Sequence, residues 1–162
     1  MSDNVVVGIS DFKLTKDPNI LVTHALGSCV GICLYDNALK MGGLAHIMLP
    51  DSSQFASTQI NRMKFADTAI ADLLKALQLF GSDTRRVTAK IAGGAQMFAV
   101  QENSTIGSIG ARNIQSVKKA LKEYRISIIA EDTGLNYGRT VYFDLNTGIM
   151  KIQSLNNYVK EL

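Results

Sequence analysis

Cysteine and histidine are scarce in this sequence, two of each among 162 residues. Two cysteines cannot make a disulfide framework, and Cys29 and Cys33 lie too close together to close a useful loop if both sit on one strand. A reducing cytoplasm is therefore the expected compartment. The opening Met1-Ser2-Asp3-Asn4 lacks a basic region followed by an apolar core, and no apolar run approaches membrane-spanning length, so neither export nor insertion in a membrane is expected. Net charge is only +3 and the basic residues are scattered, with short pairs at Arg85-Arg86 and Lys118-Lys119. A nucleic-acid partner calls for a denser basic patch, and these pairs read as solvated surface. Internal repeats, low-complexity tracts and linkers are also missing. Gly93-Gly94 is not followed by Gly-Lys-Ser/Thr, which removes the phosphate cradle and leaves a close backbone approach or a simple turn. Glu131-Asp132 has no further acid or histidine cluster beside it, and neighbours on a strand face opposite ways, so the pair reads as structural. No metal or cofactor is expected.

What remains is an ordinary globular composition, 46% hydrophobic and 19% charged, on a chain long enough for one domain spanning 1–162 with a sizeable core. Short apolar runs of strand type occur at 5–9, 20–23, 30–35, 87–91 and 126–130, and a hairpin spans 140–154 with its turn at Asn146-Thr147-Gly148. Residues 11–20, broken by Pro18, read as a polar segment, and 156–162 as a polar tail. Residues 63–80 read as a helix, because Ala66, Ile70, Leu73, Leu74 and Leu77 recur at helical spacing and Gly81 is a natural stop. A second helix runs from 109 to about 124 with Ile114, Val117 and Leu121 on one face. Its start either donates N–H groups to a substrate carbonyl or is merely capped. Residues 51–61 and 101–108 read as polar loops, the first either a wall of a cleft or a plain connector. The pattern predicts a mixed α/β fold with many short strands and two main helices.

Residues 23–50, THALGSCVGICLYDNALKMGGLAHIMLP, contain every cysteine and histidine of the chain. Cys29 follows the short turn Gly27-Ser28 and leads into the apolar strand that carries Cys33. His46 comes seventeen residues later, after a turn signal at Asp36-Asn37. If that turn is tight around Asn37 and Ala38, counting outward places Cys29 roughly opposite His46, within reach of a thiol–imidazole hydrogen bond. An imidazole beside a thiol activates it and holds a proton for the leaving group. Thr23 offers a hydroxyl to orient the ring, and backbone N–H groups around Ser28 and Cys29 are candidates for an oxyanion site. The plainer alternatives are a small buried thiol at Cys29 and a satisfied core histidine at 46. Cys33, inside the apolar strand, is expected to be buried and inert. His24 is the rival base.

Thr23, Leu26-Gly27-Ser28-Cys29-Val30, Gly43, His46 and Met48-Leu49-Pro50 together resemble the CheD family of chemoreceptor glutamine deamidases. The likeness continues through Lys64-Phe65-Ala66-Asp67-Thr68-Ala69, Ile91-Ala92-Gly93-Gly94-Ala95-Gln96-Met97-Phe98, Ile109-Gly110-Ala111-Arg112-Asn113 and Ala130-Glu131-Asp132-Thr133-Gly134. The resemblance implies a layered fold, two packed sheets with helices covering one side. It implies cofactor-free hydrolysis of receptor glutamines to methylatable glutamates, some hydrolysis of receptor methyl esters, Cys29 as nucleophile, His46 as general base and acid, and Thr23 as the group that orients His46. It also implies two partners, the helical cytoplasmic region of methyl-accepting chemotaxis receptors and a CheC-type phosphatase. Where the family often has a second glycine after Thr133-Gly134, this chain has Leu135, which touches loop shape and not chemistry. The same residues leave room for a mainly non-catalytic regulatory partner of receptors and phosphatase, or for a thiol protease.

Overall fold

Two runs of the chain, Val30–Asp36 and Met41–Ile47, are buried at every position, which requires a sheet covered on both faces. The computed structural model, which describes residues 1–55, 60–97 and 108–162, supplies both covers. In chain order the elements are β1 (Asn4–Val6), β2 (Asp11–Lys16), β3 (Ile20–Leu26), β4 (Val30–Asp36), β5 (Met41–Ile47), α1 (Ala66–Leu79), β6 (Thr88–Gly93), α2 (Ile109–Glu123), β7 (Ser127–Thr133), β8 (Arg139–Asp144), β9 (Met150–Ser154) and β10 (Val159–Glu161). The central sheet has the order β2-β5-β4-β6-β7, and the outer sheet β1-β3-β8-β9-β10.

The two faces of β4 hold the layers together. Val30, Ile32 and Leu34 point to the helices, where they meet Ile70, Leu73 and Leu77 of α1 and Val117 and Leu121 of α2. Cys33 and Tyr35 point the other way, into a second core with Leu21, Val141, Phe143 and Ile152 of the outer sheet. The layers therefore run helices, central sheet, outer sheet, the arrangement the resemblance implies. Both helices are short of membrane-spanning length and character among the described residues.

Several elements differ from the sequence reading. Residues 11–16 form strand β2, antiparallel to β5: Phe12 and Leu14 pack on the helix-side core with exposed Lys13 between them, a period-two signal obscured by the surrounding charges. The polar tail contains β10, paired with β9. The first helix begins at Ala66, after a 3-10 turn at Arg62–Lys64. Of the loop at 51–61, Ser52–Gln54 forms a 3-10 turn and 56–59 lie outside the described residues, as do 101–107 of the second loop. The adjacent acids do separate. Glu131 is exposed and meets Lys118, while Asp132 is buried against Arg139.

Arg139 is the largest fully buried side chain. Its Nε donates to Asp132 Oδ2 at 3.1 Å, Nη2 donates to the Gly134 carbonyl at 3.0 Å, and the guanidinium lies 4.4 Å from the Tyr137 ring centre. It thus ties the end of β7 to the start of β8. Arg139→Met should leave the Asp132 carboxylate without its principal buried partner and lower the unfolding free energy by about 3 kcal/mol or more, and Arg139→Lys should recover little of it because an ammonium lacks the planar fork. Urea unfolding of the three proteins checks this; a loss below about 1 kcal/mol for the methionine variant would show that the pair does not brace this end of the sheets.

Candidate functional site

Thr23 and His46 are both fully buried polar residues, and they meet across the two sheets, Thr23 from β3 and His46 from β5. Thr23 Oγ1 lies 2.7 Å from His46 Nδ1 and 2.8 Å from the carbonyl oxygen of Val7. A carbonyl can only accept, so the single hydroxyl hydrogen of Thr23 goes to Val7 and its oxygen must accept from Nδ1–H. That fixes the tautomer: the ring proton sits on Nδ1, and Nε2 carries a free lone pair. Nε2 is buried and has no hydrogen-bond partner among the described residues. A buried imidazole nitrogen with its opposite nitrogen anchored has the geometry that a proton acceptor requires.

Cys29 is not directly opposite His46. The loop after β4 is longer than a tight turn at 37 and 38: the last pair is Asp36 with Met41, so His46 lies opposite Gly31. The sequence count was two residues short. Cys29 nevertheless keeps to the His46 side, since alternate residues share a face, and it packs against the inter-sheet core to which Cys33, Tyr35 and Leu44 belong. It is the diagonal neighbour of His46 in the extended register, at a spacing that long side chains bridge. The intervening residue is Gly31, where an added Cβ would already press on Leu26 Cδ1 at 3.2 Å. A side chain at 31 would have to displace Leu26.

The Gly27–Cys29 segment is held by its carbonyls. Gly27 O accepts from Ala95 N at 2.9 Å and Cys29 O from Gly94 N at 2.8 Å, while Ser28 O accepts from Asn113 Nδ2 at 2.9 Å. Gly93 (φ +110) comes so close to the Cys29 carbonyl that any Cβ would collide with it, so the paired glycines serve close backbone approach, one of the two readings open from sequence. The N–H groups of Ser28 and Cys29 are taken by no carbonyl among the described residues.

Burial sets the charge state. It pushes the Cys29 thiol above its ordinary value, with its own backbone N–H pulling slightly the other way, and it pushes His46 down to about 4. Near neutrality both groups are uncharged, a neutral thiol beside a neutral base. Cys33 is fully buried and its thiol is pushed up further still, in keeping with the inert role read for it. A cleft of about 320 Å³ borders Cys33, Tyr35, Lys90 and Phe143, away from Cys29 and His46. His24 is exposed and next to a bulge in β3, on the opposite face from Thr23, which removes it as rival to His46. The α2 start is capped by the Ser108 side chain accepting from Ala111 N, the plainer of its two readings. No group of three or more potential metal ligands occurs among the described residues. Asn113, inside a motif noted above, is fully buried, and no sequence signal gives it a role.

Exposed apolar side chains lie near this segment in the chain and in space. Met97 would touch a Cβ added at Gly27, Leu135 O accepts from Gln96 N, and Met48 follows β5. All three are exposed. Leu135 takes the left-handed backbone region at φ +60, so the turn keeps a glycine-like conformation at the position where the sequence departs from the family.

Sequence comparison finds relatives along nearly the whole chain. A protein of Clostridium botulinum (strain Eklund 17B / Type B) named probable chemoreceptor glutamine deamidase CheD is 51% identical over 158 residues, covering 98% of this chain and 97% of that one. Proteins with the same name from Moorella thermoacetica (51% over 157 residues, 96% and 93% covered) and Lachnoclostridium phytofermentans (43% over 162, both chains fully covered) are similar. The family profile described as CheD chemotactic sensory transduction matches residues 48–154. Among solved structures, a Bacillus licheniformis hypothetical protein, YfiH, aligns with TM-score 0.48 at 16% identity over 78% of this chain, which spans 51% of that longer one.

Two outcomes follow from the charge states. Iodoacetamide should alkylate Cys29 and spare Cys33 in the native protein, and the rate should rise with pH through a midpoint above the ordinary cysteine value of about 8.5; peptide mass spectrometry reads the sites, and a midpoint near neutrality would mean a thiolate–imidazolium pair instead. In the unfolded chain the His46 ring takes a proton near the ordinary histidine value of 6.5, in the folded one near 4. The unfolded state therefore binds the proton first as pH falls, and stability intact above pH 6.5 should drop by roughly 2–3 kcal/mol on approaching pH 4. Denaturant unfolding at several pH values, beside His46→Gln, measures it; equal slopes for both proteins would sink the assignment.

Proposed function

The chain belongs to the CheD family, and we propose on that footing that it is a protein-glutamine deamidase, hydrolysing side-chain amides of specific chemoreceptor glutamines to glutamates. The observation that supports this most is the anchored imidazole of His46, with Nδ1–H on Thr23 Oγ1 at 2.7 Å and Nε2 free, on the same sheet face as Cys29. A neutral base and a neutral thiol suit an acyl transfer in which both protons travel through one nitrogen.

In this reading Cys29 Sγ attacks Cδ of the glutamine side chain while His46 Nε2 takes the thiol proton, and Thr23 keeps the resulting imidazolium oriented. The carbonyl oxygen becomes an oxyanion facing the N–H groups of Ser28 and Cys29 at the Gly27–Cys29 turn. His46 returns its proton to the amide nitrogen, the C–N bond breaks, and ammonia leaves behind a thioester. Water then attacks the thioester as His46 takes its proton, the C–S bond breaks, and the proton returns to Cys29. The product is glutamate, the acceptor for methyl esterification. No group beyond the chain's own residues and water enters the balance.

The substrate is a glutamine projecting from a helical receptor stalk, and the exposed apolar side chains of Met48, Met97 and Leu135 suit such a surface. A CheC-type phosphatase is proposed as a second partner, competing with receptor, and the cytoplasm as the compartment where both are met.

Incubation with a chemoreceptor cytoplasmic fragment, followed by peptide mass spectrometry, tests the reading. Wild type should convert particular glutamines to glutamates, Cys29→Ala and His46→Ala should convert none, and Thr23→Val should slow turnover about tenfold or more, the worth of one hydrogen bond to the base. Fragment bound without conversion would move the weight to a regulatory partner; a cleaved backbone would indicate a protease.

A further inference from the structure

Two buried side-chain polar atoms lack a hydrogen-bond partner among the described residues, His46 Nε2 and Asn113 Oδ1. The first belongs to the base. The second sits on a fully buried asparagine in the first turns of α2, and its bonding is one-sided. Nδ2 donates to the carbonyl of Ser28 at 2.9 Å and to that of Met48 at 3.0 Å. Both neighbours are pure acceptors, so the amide nitrogen must face them and the amide orientation is settled by its partners. The side chain spends both hydrogens on two carbonyls and leaves its oxygen without a partner among the described residues, an arrangement that costs free energy for a buried acceptor. What this position requires is donors.

The two carbonyls are those that matter for the relative placement of nucleophile and base. Ser28 precedes Cys29, and Met48 lies two residues beyond His46. Only the Asp17-Pro18 bond is cis among the described residues, so the Ser28–Cys29 peptide is trans, and its C=O and N–H point in opposite directions. Holding the Ser28 carbonyl toward α2 therefore aims the Cys29 N–H away from α2. The neighbouring carbonyls of Gly27 and Cys29 are held by Ala95 and Gly94, which form one wall with the α2 start: a Cβ on Gly110 would lie 2.5 Å from the oxygens of both. Three successive carbonyls thus face one wall, leaving the N–H groups between them for the other side. Two of the three bonds come from backbone and cannot be removed by substitution. The third is Asn113.

We infer that Asn113 is a positioning residue for the nucleophile: by clamping the Ser28 and Met48 carbonyls it orients the Ser28–Cys29 peptide, so that the Cys29 N–H faces the reacting carbonyl oxygen, and fixes the Cys29 turn against the strand of His46. Asn113 itself touches no reacting atom. The oxyanion role of that N–H rests on the deamidase reading given above, whereas the clamp does not.

The test uses the full chain with Asn113→Ala and the isosteric Asn113→Asp. With a receptor fragment, Asn113→Ala should lose about 10- to 100-fold in kcat with KM changed less than about twofold, because an oxyanion donor acts in the transition state alone. Asn113→Asp offers no donor when ionised and one O–H when protonated, so its kcat relative to wild type should climb as pH is lowered from 8 to 5. A substrate-free measurement runs beside these: the pH midpoint of Cys29 alkylation should move upward in Asn113→Ala, as the N–H contribution to the thiolate is loosened. An unchanged kcat, a loss carried by KM, or a flat Asn113→Asp ratio with an unmoved alkylation midpoint overturns the inference. If Asn113→Ala fails to fold, the Asn113→Asp ratio and its alkylation midpoint decide alone. If wild type converts no glutamine, the deamidase reading fails, and the alkylation midpoint still decides the clamp.

Discussion

The hydroxyl of Thr23 is the hinge between the two sheets and the chemistry. It donates to Val7 O and accepts from His46 Nδ1, so one O–H fixes a tautomer, a ring orientation and the distance between layers. Val7 follows β1 and Thr23 lies on β3, both on the outer sheet, while His46 belongs to β5 of the central one. In a dry core an unmade bond costs more than a made one gains, so any slip of one sheet over the other would strand the His46 Nδ1–H, while the Thr23–Val7 bond, made within the outer sheet, would move with it. The apolar packing of Leu21, Val141, Phe143 and Ile152 on Cys33 and Tyr35 supplies the adhesion between the layers. The polar bond supplies the register.

Cys29, the proposed nucleophile, is positioned by different means. Cys29 lies at the entry to β4, where the chain has left the outer sheet and has just joined the central one. Its carbonyl is held by Gly94, and glycine at 93 admits the approach. Arg139, with donations to Asp132 and to the Gly134 carbonyl, braces the parallel end of the same corner. Site and brace share the β6–β7 edge, so the rigid elements reach the reactive loop from three sides: β6, α2 and the β7–β8 connection. A loop held this way behaves more like an extension of the sheet than like a mobile connector.

Local pattern carried most of the fold and one part of the site. The helices were legible because Ile70, Leu73, Leu74 and Leu77 repeat at helical spacing, and β4 because Val30, Ile32 and Leu34 run uninterrupted. Strand β2 was missed because its two apolar residues, Phe12 and Leu14, are set among lysines and an aspartate, and β10 because its pairing with β9 is made at an edge where residues stay exposed. The cross-strand register failed for a definable reason. A turn signal at Asp36-Asn37 marks where a hairpin reverses but not how many residues the reversal takes, and Asp36 Oδ1, accepting from both Ala38 N and Leu39 N, supports a longer loop. Because the error was two residues, side-chain faces were preserved, and Cys29 and His46 still fall on the same side. The Val7 carbonyl and the Asn113 clamp were illegible, since both are contacts between segments remote in sequence, at separations of 16 and 85 residues.

Burial also explains why such a thiol can persist in a cell. Oxidation and adventitious alkylation act on the thiolate, and their rates follow the fraction ionised and the exposure. At Cys29 burial raises the thiol, and at His46 it lowers the imidazole, which keeps the free pair from exchanging a proton to become an ion pair. A site preset as thiolate–imidazolium would be reactive toward any small electrophile. In the proposed deamidation the charge separation is drawn out by the substrate, whose developing oxyanion meets the N–H groups of the Gly27–Cys29 turn. The same desolvation that keeps the resting pair neutral would strengthen each hydrogen bond to a charge developing there in the proposed reaction. The neutrality of the resting pair thus has one origin, the burial that acts on a thiol and on an imidazole anchored through Nδ1 to Thr23.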